Sequence, residues 1–134
     1  ATIVAGGGEP PSDLAAGAFM RPALLGSISN RSEFCQEEQF GPVGSVIPYD
    51  DVEEAVAIAN DSRYGLNANV WGPVPEALRV ARGIRSGNVT INGGGQIRPE
   101  APWGGFRRSG VGRESGNEGF REFFEVKHIQ WPLG

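Results

Sequence analysis

Two consecutive carboxylates, Glu37 and Glu38, stand just past the only thiol of the chain, Cys35, and just before Phe40-Gly41-Pro42. A carboxylate offers two acceptor oxygens and can serve a binding site. By residue type alone the same pair also reads as a solvated acidic lead-in to a strand. A nucleophilic thiol needs a lowered pKa and a positioned base. The single histidine, His128, lies far along the chain, so Cys35 reads as a small core or loop residue and His128 receives no role. Gly110-x-Gly112-x-x-x-Gly116 has the outline of a phosphate-cradling turn. A dinucleotide fingerprint, however, needs a strand immediately before it and an acid about 20 residues later. Here a glycine-rich loop precedes, so a tight turn feeding a helix is the better reading. Asp50, Asp51, Glu53 and Glu54 carry the signature of a helix start, with Asp50 as cap and Glu53 three residues on, and show no metal-ligand spacing. No metal site is expected.

These residues need elements to position them, and the middle of the chain supplies a regular alternation. Val43 to Ile47 forms a strand-like run, and Val52, Ala55, Val56 and Ala59 repeat at helical spacing behind the acidic cap. Leu66 to Trp71 is a second strand, closed by Gly72-Pro73. A second helix starts near Pro75, with Ala77, Leu78, Ala81 and Ile84 inward, Arg79, Arg82 and Arg85 outward and Gly87 in the place of a left-handed cap. Asn88 to Asn92 is the third strand. The order strand-helix-strand-helix-strand predicts an α/β fold with a parallel sheet. At the flanks, Thr2–Ala5 and a stretch within Phe19–Ile28 read as strands, and Gly93 to Gly112 as a long glycine-rich loop. A helix is expected from about Arg113, with Phe120, Phe123 and Phe124 on one face, and a terminal strand over Val126 to Trp131.

Composition bounds the rest. The chain has 134 residues, 39% hydrophobic and 21% charged, a globular balance with room for one ordinary domain. A net charge of −4 argues against a nucleic-acid footprint. No apolar run reaches the roughly 18 residues of a membrane helix, no secretory leader is visible, and one cysteine cannot close an internal disulfide. A cytoplasmic protein without membrane or nucleic-acid partners is the expectation.

Several segments taken together resemble the aldehyde dehydrogenase superfamily. They are Glu37-Glu38-Gln39-Phe40-Gly41-Pro42-Val43, Asn60 to Leu66, Asn88-Val89-Thr90-Ile91-Asn92, Ala101 to Phe106 with Ser109 to Glu114, and the ending Phe124-Glu125-Val126-Lys127. The resemblance runs from about Thr2 to Ile129 and covers the C-terminal part of such an enzyme. It implies residues 1–124 as the C-terminal portion of the catalytic domain. Residues 125–134 would then be the terminal strand and tail that joins the oligomerisation sheet, making a homo-oligomer. It further implies NAD or NADP as cofactor and an aldehyde as substrate, oxidised to a carboxylic acid. Thiolate attack would be followed by hydride transfer and thioester hydrolysis. The nucleophilic cysteine and general-base glutamate would lie upstream, so no catalytic residue is assigned within this chain. Glu38 matches the carboxylate that holds the nicotinamide-ribose hydroxyls, and Phe40 the ring packed beside the nicotinamide. Gln39 departs from the aliphatic residue usual between them. Ile97 and Trp103 match, by spacing from Asn92, positions lining the mouth of the aldehyde tunnel. Ile97 stands where some members carry a second aromatic, which leaves a full aromatic cage, and with it betaine-aldehyde specificity, unsupported. Two other readings stand beside this one: a non-catalytic truncated or split-gene product acting as an association module, and a small stand-alone dinucleotide-binding domain. The failed glycine fingerprint weighs against the last. Ala1, opening inside a strand, favours a truncation.

Overall fold

A computed structural model describes residues 1–14, 16–93, 98–132 and 134. The chain divides into two compact units, Ala1–Ser62 and Arg63–Gly134.

In the first unit, β1 (Thr2–Gly6) pairs antiparallel with β2 (Ala23–Gly26), and β2 pairs in parallel with β3 (Val43–Ser45). Thr2, Ile3 and Val4 are β-branched and suit a pleated surface, and a register shift between Ile3 and Ala5 marks an irregularity there. The expected strand from Val43 ends as a ladder strand at Ser45, although the Val46 N–H still donates to the Leu25 carbonyl at 2.8 Å. Only Ala23–Gly26 of the Phe19–Ile28 stretch is strand, because Pro22 cannot donate to a ladder.

Two helices complete this unit: the single turn α1 (Glu33–Gln36) and α2 (Val52–Asn60). The cap of α2 is Asp51, one residue later than the sequence pattern placed it. Its carboxylate accepts from the Glu54 N–H at 2.8 Å, while the Glu54 carboxylate accepts from the Asp50 N–H at 2.7 Å. Both acids of the Asp50-Asp51 pair thus serve the helix start, through different atoms.

The second unit carries β4 (Asn67–Val70), α3 (Val74–Gly83) and β5 (Asn88–Ile91), with β4 and β5 parallel in the register Asn67↔Asn88 to Val70↔Ile91. The fold is therefore mixed α/β, with β2 and β3 parallel in the first unit and β4 and β5 parallel in the second. The three central strands are distributed between two sheets, β3 beside β2 and β4 beside β5. In α3, Pro73 is the cap and Pro75 lies in the first turn, where no intrahelical N–H is needed. Ala77 faces inward and is the one buried hydrophobic residue among those described.

Gly87 does not cap α3, which ends at Gly83 with Ile84 as cap. A Cβ on Gly87 would stand 1.7 Å from the Gly104 carbonyl oxygen, so the glycine is required by a backbone approach. β5 is lengthened by Asn92, whose N–H donates to the Val70 carbonyl at 2.9 Å. Asn92 itself is left-handed, at φ 55°. Its side-chain amide pairs with both backbone groups of Gly72, accepting from the N–H at 2.9 Å and donating to the carbonyl at 3.0 Å.

The helix expected from Arg113 begins at Gly116 instead, as α4 (Gly116–Arg121). The intervening residues are taken by an antiparallel bridge between Trp103 and Glu114. Phe120 and Phe124 meet edge to face at 4.9 Å, and both rings remain largely exposed. Val126 to Trp131, expected as a strand, has no regular secondary structure and lies exposed.

Candidate functional site

The sequence-derived site residues fall on both units: Glu38 and Phe40 on the first, Trp103 on the second. Ile97 lies outside the described residues.

Glu38 and Phe40 follow α1, and α1 is short for a physical reason. Ser32 caps it, accepting from the Cys35 N–H at 3.3 Å, and after one turn Glu37 becomes extended while its N–H donates to the Glu33 carbonyl. This turn is tied to the end of α2. Gln36 Nε2 donates to the Asn30 and Asp61 carbonyls, both at 2.8 Å, and Asn30 Nδ2 donates to the Asp61 carboxylate at 3.1 Å. Gln39, the residue that departs from the family pattern, folds back and donates weakly to the Phe34 and Glu37 carbonyls, each at 3.3 Å. Its neighbours stay free of such ties. Glu38 is exposed and its carboxylate takes no hydrogen bond from the described residues, and Phe40 is 97% exposed.

A buried carboxylate needs donors, and a fully exposed phenylalanine forgoes about 1.5–3 kcal/mol of burial. Glu38 is open to solvent, two residues before the uncovered Phe40 ring in the chain. Cys35, by contrast, is half-buried inside α1 with its backbone N–H engaged by Ser32. The described residues hold no group of three metal-donor side chains.

Trp103 is half-buried and held on several sides. Its N–H donates to the Glu114 carbonyl and the Glu114 N–H donates back, both at 2.7 Å. The next residue, Gly104, presents its carbonyl to Asn88 Nδ2 at 3.2 Å, and Gly105 presents its own to the Arg113 guanidinium at 3.1 Å. The rest of the loop is stitched to the start of β4. The Gly65 carbonyl accepts from the N–H groups of Gly87 at 3.0 Å and Phe106 at 2.8 Å, and the Gly65 N–H donates to Ser109 Oγ at 2.9 Å. A cavity of about 340 Å³ opens along this loop, with Leu66, Trp103, Arg113, Glu114 and Glu122 among its walls.

Gly110, Gly112 and Gly116 are all left-handed, as a tight turn demands, and a 3-10 turn (Arg107–Ser109) rather than a strand precedes them. The turn also holds an anion of its own. Glu122 at the end of α4 accepts from the Arg113 N–H at 3.1 Å, and its carboxylate oxygens lie 3.2 Å from where a Gly112 Cβ would stand. Rejecting this motif as a phosphate site is therefore consistent with the geometry. His128 lies exposed in the tail with no secondary structure. The sequence reading missed the Asn88 clip, the Gly87–Gly104 approach and the Glu122 latch. Only the Ser-Gly-Asn junction at Ser86-Gly87-Asn88, a glycine against a polar strand start, signalled a close contact.

Residues 1–129 match the aldehyde dehydrogenase family, and the chain belongs to that family. Among solved structures, an aldehyde dehydrogenase of Mycobacterium tuberculosis complexed with NAD+ is 42% identical, with a TM-score of 0.86 over 98% of this chain and 27% of its own. The betaine aldehyde dehydrogenase of Staphylococcus aureus, also with NAD+, is 41% identical, with a TM-score of 0.87 over 96% of this chain and 26% of its own. A mutant aldehyde dehydrogenase C of Pseudomonas syringae, complexed with NAD+ and octanal, is 43% identical, with a TM-score of 0.84 over 93% of this chain and 26% of its own. The chain spans about 27% of the length of the curated relatives it matches, among them one from Staphylococcus saprophyticus at 46% identity over 130 residues. No helix among the described residues is long and apolar enough to cross a membrane.

Proposed function

We propose that this chain is the C-terminal part of the catalytic domain of an NAD(P)-dependent aldehyde dehydrogenase that oxidises an aldehyde to a carboxylic acid. In this reading it supplies the nicotinamide-ribose clamp and part of the substrate-tunnel wall. The observation that carries the reading is the pairing of an uncommitted Glu38 carboxylate with an uncovered Phe40 ring, in a chain whose solved relatives are complexed with NAD+. The nucleophilic cysteine and the general-base glutamate belong to an upstream part of the enzyme.

When bound, the nicotinamide cofactor supplies the hydride acceptor. Glu38 would accept from two adjacent ribose hydroxyls, one per carboxylate oxygen, fixing the sugar and hence the ring attached to it. Phe40 would lie against that ring and limit its rotation. Trp103, with Ile97, would shape the entry of the aldehyde and shield the reacting centre from water. The tail from Glu125 would pair as a strand with another subunit. Val126, Ile129 and Trp131, 96%, 68% and 73% exposed, present apolar surface for that contact. That same tail is what favours the second reading, a non-catalytic association module.

In the assembled enzyme, Glu38→Gln should slow hydride transfer and weaken cofactor binding by one to two powers of ten, since a charge-assisted hydrogen bond contributes about 1.5–3 kcal/mol. Aldehyde binding should move far less. Single-turnover measurement of NADH formation reads this directly, and an unchanged rate with unchanged cofactor affinity would return Glu38 to the solvated surface.

A further inference from the structure

We propose that Asn88 is a positioning residue for aldehyde selectivity, holding Trp103 through the Gly104 carbonyl. The inference rests on Trp103 lining the aldehyde tunnel, as proposed above. Asn88 opens β5, and its backbone N–H donates to the Leu66 carbonyl at 3.0 Å in the parallel ladder. Its side-chain Nδ2 then donates to two carbonyls, Leu66 at 3.0 Å and Gly104 at 3.2 Å. Both partners are acceptors only, so the NH2 end of the amide must face them, and its two hydrogens serve one carbonyl each. Asn88 thus ties the starts of β4 and β5 to the residue that follows Trp103.

The tie fixes a direction as well as a distance. Gly87, one residue earlier, lets the Gly104 carbonyl approach so closely that a Cβ there would stand 1.7 Å from its oxygen. The Trp103–Glu114 bridge restrains the other side of the tryptophan backbone. Between these contacts the Trp103 backbone is pinned to the sheet, which sets the Cα–Cβ direction from which the indole projects. A side chain that never meets the substrate would in this way set the shape of the tunnel mouth.

In the assembled enzyme, Asn88→Ala and the isosteric Asn88→Asp remove the donor, and the aspartate also sets an acceptor against two carbonyls. Each should raise amide exchange at Trp103 and Glu114 about tenfold relative to Ala77 in α3, the loss expected for one hydrogen bond of about 1.4 kcal/mol. Each should also move the ranking of aldehydes by kcat/KM in the direction that Trp103→Ala moves it, by about tenfold between the bulkiest and smallest substrates, with the KM for NAD within about twofold. A ranking that stays at wild type while Trp103→Ala shifts it would overturn the proposal. So would a uniform drop for all aldehydes with exchange raised equally in α3, which is the mark of plain destabilisation. If Trp103→Ala itself leaves the ranking unmoved, the tunnel reading falls and the selectivity role of Asn88 falls with it. Faster exchange at Trp103 in the Asn88 variants would then identify the tunnel reading as the link that failed.

Discussion

The two units differ in charge and in how their candidate residues are held. Residues 1–62 carry ten acids against two arginines, a net charge of −8, whereas residues 63–134 carry ten bases against six acids, a net charge of +4. In the first unit Glu38 and Phe40 have no hydrogen-bond or ring partner among the described residues. In the second Trp103 is bound through its own backbone, its neighbour's carbonyl and the Gly65 hub. On the proposed reading the contrast has a reason: a hydroxyl clamp must remain open to its ligand, so no contact within the unit should satisfy it. A wall residue has no such need, and preorganisation favours fixing it. The acidic unit also has little to offer a pyrophosphate, whose charge calls for cations or helix N-termini. That part of a dinucleotide would have to be held elsewhere in the enzyme.

This contrast can be broken at several points. The largest expected effect is complete: the purified 134-residue chain should give no NADH with a panel of aldehydes, because on the proposed reading the nucleophile, the general base and the pyrophosphate site lie in another part of the enzyme. Steady turnover by that chain would end the proposed division of labour.

Next in size is Gly87→Ala. The added methyl collides with the backbone of Gly104, and overpacking of this kind costs about 1–3 kcal/mol or more. Thermal denaturation of the assembled enzyme should show a Tm lower by several degrees, and the aldehyde ranking should shift with it. A Tm at the wild-type value would mean that the approach is relaxed at no cost.

Asp51→Ala sharpens the contrast from the other side. It removes a side-chain cap on α2 worth about 1 kcal/mol, so the Tm should fall modestly with the aldehyde ranking unchanged. Asp51→Asn, which keeps the acceptor oxygen, should restore most of the loss. A ranking altered by Asp51→Ala would show that selectivity is not confined to the loop around Trp103.

The smallest effect is expected for Cys35→Ala. The thiol sits half-buried in a one-turn helix, so the rate of acid formation should stay within a few-fold. A loss of several powers of ten would reassign the nucleophile.

The sequence-level reading succeeded where periodicity and local chemistry act alone. The alternation from Val43 to Asn92 specified α2, β4, α3 and β5, because apolar spacing and acidic or proline helix starts are local signals. It misplaced features decided by contacts distant in sequence. Gly87 looked like a helix cap since glycine after a basic turn usually is one. Its true reason, the carbonyl of Gly104, lies in a loop that no propensity describes. Arg113 and Glu114 read as the start of a helix, yet the bridge to Trp103 takes their backbone first. The capping register slipped by one because Asp50 and Asp51 are chemically equivalent choices, and only geometry decides which carboxylate reaches Glu54. As for the proposed site, Glu38, Phe40 and Trp103 were singled out through motif resemblance, not through residue type. Asn88 was not, because a polar residue at a strand start is ordinary until its second acceptor is seen.

The loop between β5 and the tryptophan is moored at both ends. Asn92 grips both backbone groups of Gly72 at one end, and the Trp103–Glu114 bridge with the Asn88 clip holds the other. These moorings use backbone atoms and two asparagines, and the Gly116 N–H adds another by donating to the Pro99 carbonyl at 2.8 Å. On the proposed reading, a substitution that spares these contacts would alter the tunnel entry while the sheet and the tryptophan keep their places. Lengthening such a loop is inexpensive, since each doubling adds only about 0.6 kcal/mol of closure entropy.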